Sequence, residues 1–444
     1  MRPFRLCSLV MLSALFVWNS SARLYPQQAQ RLDSIDLDHA HVMLRQAYED
    51  VSKNYFDPKY RGLDLKATYL QYDAKLNSAR SVGESYRIIA AFLDKLHDSH
   101  TFLLPPARSN RSTMGLHMEM VGDKCFVTRI RPGTDAATKL HVGDQVLALN
   151  GYNVNHEDFR NLQYFLAVLA PAQMEKLDLA NPAGQQRQET INALIRPGKA
   201  VLDVSGARDD SDIWKLIRED EEENNLNRER LHETEDTLFW KMPEFFITPD
   251  VVSSVFSKAR KHKTLVLDLR GNPGGAVDTL KDVLGYVFDH DVKIGDLVSR
   301  KNSKPEIAKS RGGAVFNGKL IVLVDSNSGS SAEIFARVVQ LEHRGQVIGD
   351  RSAGAVMEAL HYRESLGADT RIFYGFSVTI ANLIMTDGKS LENTGVTPDE
   401  IVLPTAADLA EGKDPALSRA AELAGTTLDP AAAGKLFPFE WRSP

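Results

Sequence analysis

Apolar positions recur at helical spacing in the first third of the chain. Leu44, Ala47, Tyr48, Val51 and Tyr55 fall on one face before Asp57-Pro58 breaks the pattern. Ser81-Val-Gly-Glu84 has capping-box spacing and predicts a further helix striped by Ile88 or Ile89, Phe92, Leu93 and Leu96. That helix runs out in His97-Asp-Ser-His-Thr101, then apolar residues and Pro105-Pro106, so residues 31–106 read as an N-terminal helical region. From 111 to 196 the texture changes to short β runs separated by glycine turns. Residues 197–237 hold Arg218-Glu-Asp-Glu-Glu-Glu223 and few apolar positions, the pattern of a solvated, mobile acidic linker or insertion. Strands and helices then alternate over 238–405. Thr264–Leu269 and Lys319–Val324 are near-continuous apolar runs, as in strands covered on both faces. Between them Val277, Leu280, Leu284, Val287 and Phe288 mark a helix. A helix from Ser331 to Leu341 and a strand at Gln346–Gly349 follow. This order predicts a parallel sheet with right-handed crossovers, and a site at the carboxyl ends of its strands. Residues 406–444 read as a C-terminal helical tail.

The segment Ile130-Arg-Pro-Gly-Thr-Asp-Ala-Ala-Thr-Lys-Leu-His-Val-Gly-Asp-Gln-Val-Leu-Ala-Leu-Asn-Gly151 contains a turn, a short helix, a Gly-Asp turn and a strand ending in Asn-Gly. It resembles a PDZ domain, a module that captures a peptide as an added strand and holds its terminal carboxylate on backbone N–H groups. By that resemblance Met114, Gly115, Leu116 and His117 form the peptide-binding loop.

Composition narrows the class. A chain of 444 residues with 43% hydrophobic content can bury two or three domains, and a net charge of −6 gives no footprint for nucleic acid. Arg2 and Arg5 precede the apolar run Leu6–Trp18, and Ser20-Ser-Ala22 supplies small residues, so residues 1–22 read as a secretory signal peptide cut after Ala22. No later segment is long and apolar enough to span a bilayer, and an exported location, periplasmic or secreted, is expected. Of two cysteines, Cys7 lies in that leader and Cys125 is left alone, so no intrachain disulfide is expected.

Candidate chemistry centres on Leu323-Val-Asp-Ser-Asn-Ser-Gly-Ser-Ser-Ala-Glu-Ile-Phe335, a buried strand, a small-residue turn and a helix start. Ser330 or Ser331 there can act as a nucleophile beside unpaired N–H groups, or simply cap the helix. Gly271, Gly274 and Gly275 end the preceding strand. They lack the Gly-Lys-Ser/Thr ending and the spacing of a nucleotide-binding loop. An oxyanion hole built from the N–H groups of Gly275 and Ser331 explains them better, with Arg270 and Asn272 holding the loop. Among twelve histidines, only His100 lies in a small-polar turn at a helix end. His97 and His100 lack a third ligand, so neither a metal nor another cofactor is expected.

The Asp268-Leu-Arg-Gly-Asn-Pro-Gly-Gly275 turn, the Ser330-Ser-Ala-Glu333 helix start and the PDZ-like segment ahead of them resemble the C-terminal processing, or tail-specific, family of serine peptidases. The resemblance implies a multidomain α/β protein with a crotonase-like (ClpP/crotonase) core, Ser330 as nucleophile, and Gly275 with Ser331 as oxyanion hole. One position departs from it: Ala355 stands where the processing proteases carry a lysine base. The tricorn-like branch fits better, through Asp98-Ser99-His100-Thr101 and Leu391-Glu-Asn-Thr-Gly-Val-Thr-Pro-Asp399. It implies His100 as base, with Ser99 and Glu392 orienting the imidazole. No propeller segments precede the core, so the compartmentalised tricorn architecture is not implied. The expectation is an exported serine endopeptidase acting on proteins or peptides. A catalytically silent protein binding a peptide or apolar ligand on the same fold is the alternative, and the sequence leaves the oligomeric state open.

Overall fold

The computed structural model describes residues 32–108, 110–156, 158–197, 230–367, 371–439 and 441. Residues 1–22, expected to be a signal peptide, and residues 198–229 of the acidic segment lie outside the described residues.

Three helices, Ser34–Asn54, Leu65–Leu76 and Val82–Asp94, open the described chain. Each starts on a side-chain cap: Asp33 accepts from the Asp36 N–H, Asp64 from Ala67, and Ser81 from Glu84. Glu84 returns the bond to the Arg80 N–H, one residue before the cap. Leu44, Ala47, Val51 and Tyr55 are fully buried, as their spacing predicts, and both Ile88 and Ile89 are inside. Their core is not self-contained. Tyr374, Phe376 and Val378, from the Ile372–Met385 strand, complete it. The short strand Phe102–Leu104 pairs antiparallel with that same strand, Phe102 opposite Ser377. Residues 32–104 are thereby fastened to a strand far downstream.

The next region is a six-stranded antiparallel sheet ordered Leu116–Val121, Lys124–Ile130, Gln145–Leu149, Met174–Ala180 and Gln186–Asn192, with Tyr152–Asn153 paired beside Gln145–Leu149. Cys125 is a buried free thiol in its core. Leu116–Val121 is an edge strand. The tip beyond it docks on the next region: the Gly122 N–H donates to Asp350 Oδ2 at 2.7 Å, and Ser326 Oγ donates to the Met120 carbonyl at 2.6 Å.

The core sheet runs Arg230–Glu233, Thr237–Lys241, Thr264–Asp268, Lys319–Val324, Gln346–Gly349 and Glu400–Ile401. All its pairings are parallel except the first. One face is covered by Pro249–Ala259, Val277–Val287 and Ser331–Leu341, the other by Pro415–Leu423 and Pro430–Leu436. Cover on both faces explains why every residue of Thr264–Asp268 is buried. A second sheet, antiparallel throughout, joins Phe102–Leu104, Ile372–Met385, Val292–Ser299, Ser303–Ala308 and Met357–Leu366. It carries the N-terminal turn to the carboxyl ends of the parallel strands. Among the described residues no helix is long and apolar enough to cross a membrane.

Candidate active site

Ser330 caps the helix that follows the Lys319–Val324 strand, with φ 49° and ψ −116°. That region is nearly reserved for glycine, and holding a serine there costs about 1–3 kcal/mol. Five bonds hold the turn around it. The Ser330 N–H lies 3.0 Å from both the Ala355 carbonyl and Glu333 Oε2. The fully buried Glu333 carboxylate also accepts from Ser352 Oγ at 2.6 Å and from the Gly354 and Ala355 N–H groups at 2.7 and 2.9 Å. Burial pushes Glu333 up to about 7. The four donors aimed at it oppose that push and favour the anion.

Ser331 differs from its neighbour. It is buried, and its hydroxyl is committed to the Gly275 carbonyl at 2.9 Å. Its backbone is the useful part. Among the described residues neither the Ser331 nor the Gly275 N–H donates to a backbone carbonyl, although their neighbours do: Ala332 to Gly329 and Ala276 to Phe245. The glycine turn lies directly against the serine turn. A Cβ on Gly274 would fall 2.6 Å from Ser330 Cβ and 3.0 Å from the Ser331 nitrogen, and one on Gly275, at φ +143°, would meet Phe245 backbone at 2.6 Å. Arg270 and Asn272 do hold this loop. Arg270 is forked between Asp268 and Asp414, and the Asn272 side chain bonds the Met242 carbonyl and the Gly274 N–H.

His100, Ser99 and Glu392 form one chain of hydrogen bonds. Glu392 accepts from the Ser99 N–H at 2.6 Å, Ser99 Oγ at 2.9 Å and the Val356 N–H at 2.9 Å. Burial raises the Glu392 pKa against those bonds. An ionised carboxylate only accepts, so the Ser99 proton points to Glu392 and the Ser99 oxygen is left to accept from His100 Nδ1, 2.6 Å away. With Glu392 ionised, this chain of bonds places the proton on Nδ1 and leaves the Nε2 lone pair free. Behind the ring, Asp98 Oδ1 accepts from the His100 and Thr101 N–H groups at 3.0 and 2.8 Å and from Thr379 Oγ1 at 2.7 Å. Asn393, beside Glu392, donates to the His97 carbonyl at 3.0 Å.

The two halves meet on one short segment. The Ala355 carbonyl holds the Ser330 N–H, and the next residue, Val356, donates to Glu392. Among the described residues no hydrogen bond joins the Ser330 hydroxyl to the His100 ring, an interaction that commonly tightens only with substrate bound. Among the described residues no lysine hydrogen-bonds Ser330 in place of the one absent at Ala355. Lys241, at the end of its strand, bonds Asp268 at 3.2 Å and the Arg270 carbonyl. No group of three His, Cys, Asp or Glu side chains with metal-holding geometry occurs among the described residues.

The loop assigned to peptide capture is more enclosed. Met114 and Leu116 pack against the domain core. Gly115 has φ +70°, with space for a Cβ denied by Thr134, and its carbonyl accepts from the Arg131 N–H at 2.7 Å. The His117 ring lies 5.5 Å from the rings of both Phe439 and Trp441.

Glu333 carries no functional signal in the sequence beyond the Ser330-x-x-Glu333 spacing, the same as at Ser81-x-x-Glu84. The backbone of 354–356 carries no residue-type signal at all.

A parallel core with a serine at a helix start, a paired glycine turn and a histidine–serine–glutamate relay defines a serine-peptidase type of site. Comparison with known proteins agrees. Residues 237–402 match the model described as Peptidase family S41, 38–94 the Tricorn protease C1 domain, and 105–179 the PDZ domain. Residues 237–402 thus form a domain of peptidase family S41, a family of serine peptidases. It is 23% identical over 413 residues to a putative tricorn protease homolog 2 of Streptomyces coelicolor, covering 87% of this chain but only 32% of that protein. It is 22% identical over 400 residues to the carboxy-terminal processing protease CtpA of Bacillus subtilis, covering 86% of this chain and 72% of that one. The solved structure of mature CPAF complexed with lactacystin is similar in fold, with TM-score 0.64 and 16% identity over 85% of this chain and 96% of that one.

Proposed function

We propose that this chain is an exported serine endopeptidase that cleaves proteins or peptides through an acyl-enzyme on Ser330. The observation that carries the reading is the continuous Glu392–Ser99–His100 bonding, tied through residues 354–356 to the turn that bears Ser330; with Glu392 ionised it leaves His100 Nε2 unprotonated. In this reading His100 takes the Ser330 proton as Oγ attacks the scissile carbonyl. The oxyanion then receives the Gly275 and Ser331 N–H groups, and the imidazolium returns its proton to the leaving amine. Ser99 and Glu392 keep the ring in register and balance its transient charge. The experiment is direct: incubate the protein with an unfolded polypeptide, map new termini by mass spectrometry, and repeat after fluorophosphonate treatment. Fragments that appear only without the reagent support the proposal. No fragments from any substrate, with no labelling, would favour a binding protein on this fold.

Glu392→Gln keeps the shape but replaces one acceptor oxygen by a donor. Turnover should fall, but by roughly ten- to a hundredfold less than on removing the base, with KM little changed. Steady-state kinetics on one peptide decide this.

We further propose that the PDZ-like domain selects substrates by their C-terminus through the Met114–His117 loop and the Leu116–Val121 edge. The Met120 carbonyl on that strand already meets Ser326, four residues before the nucleophile, so a captured peptide would lie close to the site. Peptides with a free apolar C-terminus should be cleaved about ten- to a hundredfold faster than their amides at low concentration, since a charge-assisted bond contributes about 1.5–3 kcal/mol. Equal rates for acid and amide would remove this role from the domain.

A further inference from the structure

The outer face of the PDZ-like sheet is covered by the end of the chain itself. Side chains alternate along Leu116–Val121, and Leu116 and Met118 pack into the domain core, so His117 between them points to the opposite face. His117 sits directly across from Arg129 in the ladder, and Arg131, two residues on, shares that face. Two aromatic residues lie on this patch. The Arg129 guanidinium is 4.2 Å from the Phe439 ring centroid, and that of Arg131 is 5.7 Å from Trp441. The two rings contact each other edge-on at 4.9 Å, and both contact His117 at 5.5 Å. Arg131 is 4% exposed beneath them.

We propose that this face is a second peptide-binding surface, selective for a pair of aromatic side chains two residues apart, and that the chain's own Phe439 and Trp441 occupy it as an intramolecular ligand. The chemistry is specific in kind. Two guanidinium groups spaced by one residue offer cations to two ring faces, and the imidazole closes the third side. It is distinct from the sheet edge, where a peptide would add as a strand. The segment also leads directly from the Pro430–Leu436 helix, which packs on the back of the peptidase sheet, and the Arg230 side chain bonds the Pro438 carbonyl. The tail therefore straps the PDZ-like domain to the peptidase core. The PDZ-like domain is tied to that core also by the Gly122–Asp350 and Ser326–Met120 bonds, and Gly143 closely approaches Ala406 at the start of the C-terminal region. An aromatic peptide from another molecule would compete with the strap and loosen it.

The test uses a chain ending at Leu436 and a fluorescently labelled peptide of residues 437–444. Fluorescence anisotropy should show the peptide binding to the shortened chain. The intact chain should bind it about tenfold more weakly, as expected if the tail acts at a local concentration on the order of 1 mM against a dissociation constant on the order of 0.1 mM. Replacing Arg129 and Arg131 by alanine in the shortened chain should weaken binding at least tenfold. A folded shortened chain that does not bind, or that binds equally well without the two arginines, overturns the proposal. If the shortened chain does not fold, the full-length Phe439→Ala/Trp441→Ala variant decides. Amide exchange in Leu116–Val121 and Lys124–Ile130 should then accelerate at least tenfold, and unchanged exchange there overturns it.

Discussion

Ser330→Ala is expected to lower peptide turnover by roughly 10⁵–10⁶-fold and to abolish labelling by a fluorophosphonate, while leaving substrate affinity nearly unchanged. The size follows from its role: without the oxygen no acyl-enzyme forms, and only the oxyanion donors and binding remain to help water attack. Ser331→Ala is the control that separates the two serines. Its hydroxyl is bound to the Gly275 carbonyl, but the N–H assigned to the oxyanion survives substitution, so turnover should fall only modestly. Ser330→Gly carries a second, independent signature. At φ 49° and ψ −116° alanine remains strained, whereas glycine does not, so the glycine variant should exceed the alanine one in unfolding free energy by about 1 kcal/mol. Thermal or denaturant unfolding of the two variants measures this. Labelling that persists in Ser330→Ala would displace the nucleophile. Equal stability of the two variants would show that the turn stores no strain.

Much of this was legible in the sequence, for physical reasons that also explain the rest. Thr264–Leu269 and Lys319–Val324 read as buried strands because two helical layers leave no polar face to alternate with. Gly274 and Gly275 were legible because only glycine tolerates the contact of the first with the serine turn and of the second with the Phe245 backbone. The second sheet was not. Phe102–Leu104 is three residues long, too short to show a period, and its partner lies some 270 residues downstream. Nor was the way the halves of the site are tied. The Ala355 carbonyl and the Val356 N–H do the tying, and backbone atoms leave no trace in side-chain identity. Glu333 was visible as half of a capping box. Its further bonds to Ser352 and Gly354 depend on a loop that only the fold brings near. At the C-terminus, Phe439 and Trp441 follow a helix without periodicity, and nothing local marks them as a surface for arginines in another domain.

His100→Ala should cost roughly two to four orders of magnitude in turnover, the usual contribution of a positioned general base. A structural role alone would alter stability and spare the pH profile, so the profile is the sharper measurement. Burial pushes the His100 pKa down to about 4, Arg160 and His361 add to the shift, and Asp98 opposes it. A base works only when neutral, so activity is lost as pH falls through its pKa. The acid limb of kcat/KM should therefore lie well below the ordinary histidine value of about 6.5 and leave the enzyme active at pH 5. The same shift has a stability sign. The unfolded chain takes up the proton near pH 6.5 and the folded one only near 4, so the contribution is present above 6.5 and is lost progressively as pH falls toward 4. Replacing Arg160 by glutamine removes a cation that disfavours the imidazolium. It should move the acid limb upward, toward 6.5, with kcat at neutral pH nearly unchanged. A limb that stays fixed in Arg160→Gln would show that the titrating group is not His100. Retention of normal turnover in His100→Ala would end its assignment as the base.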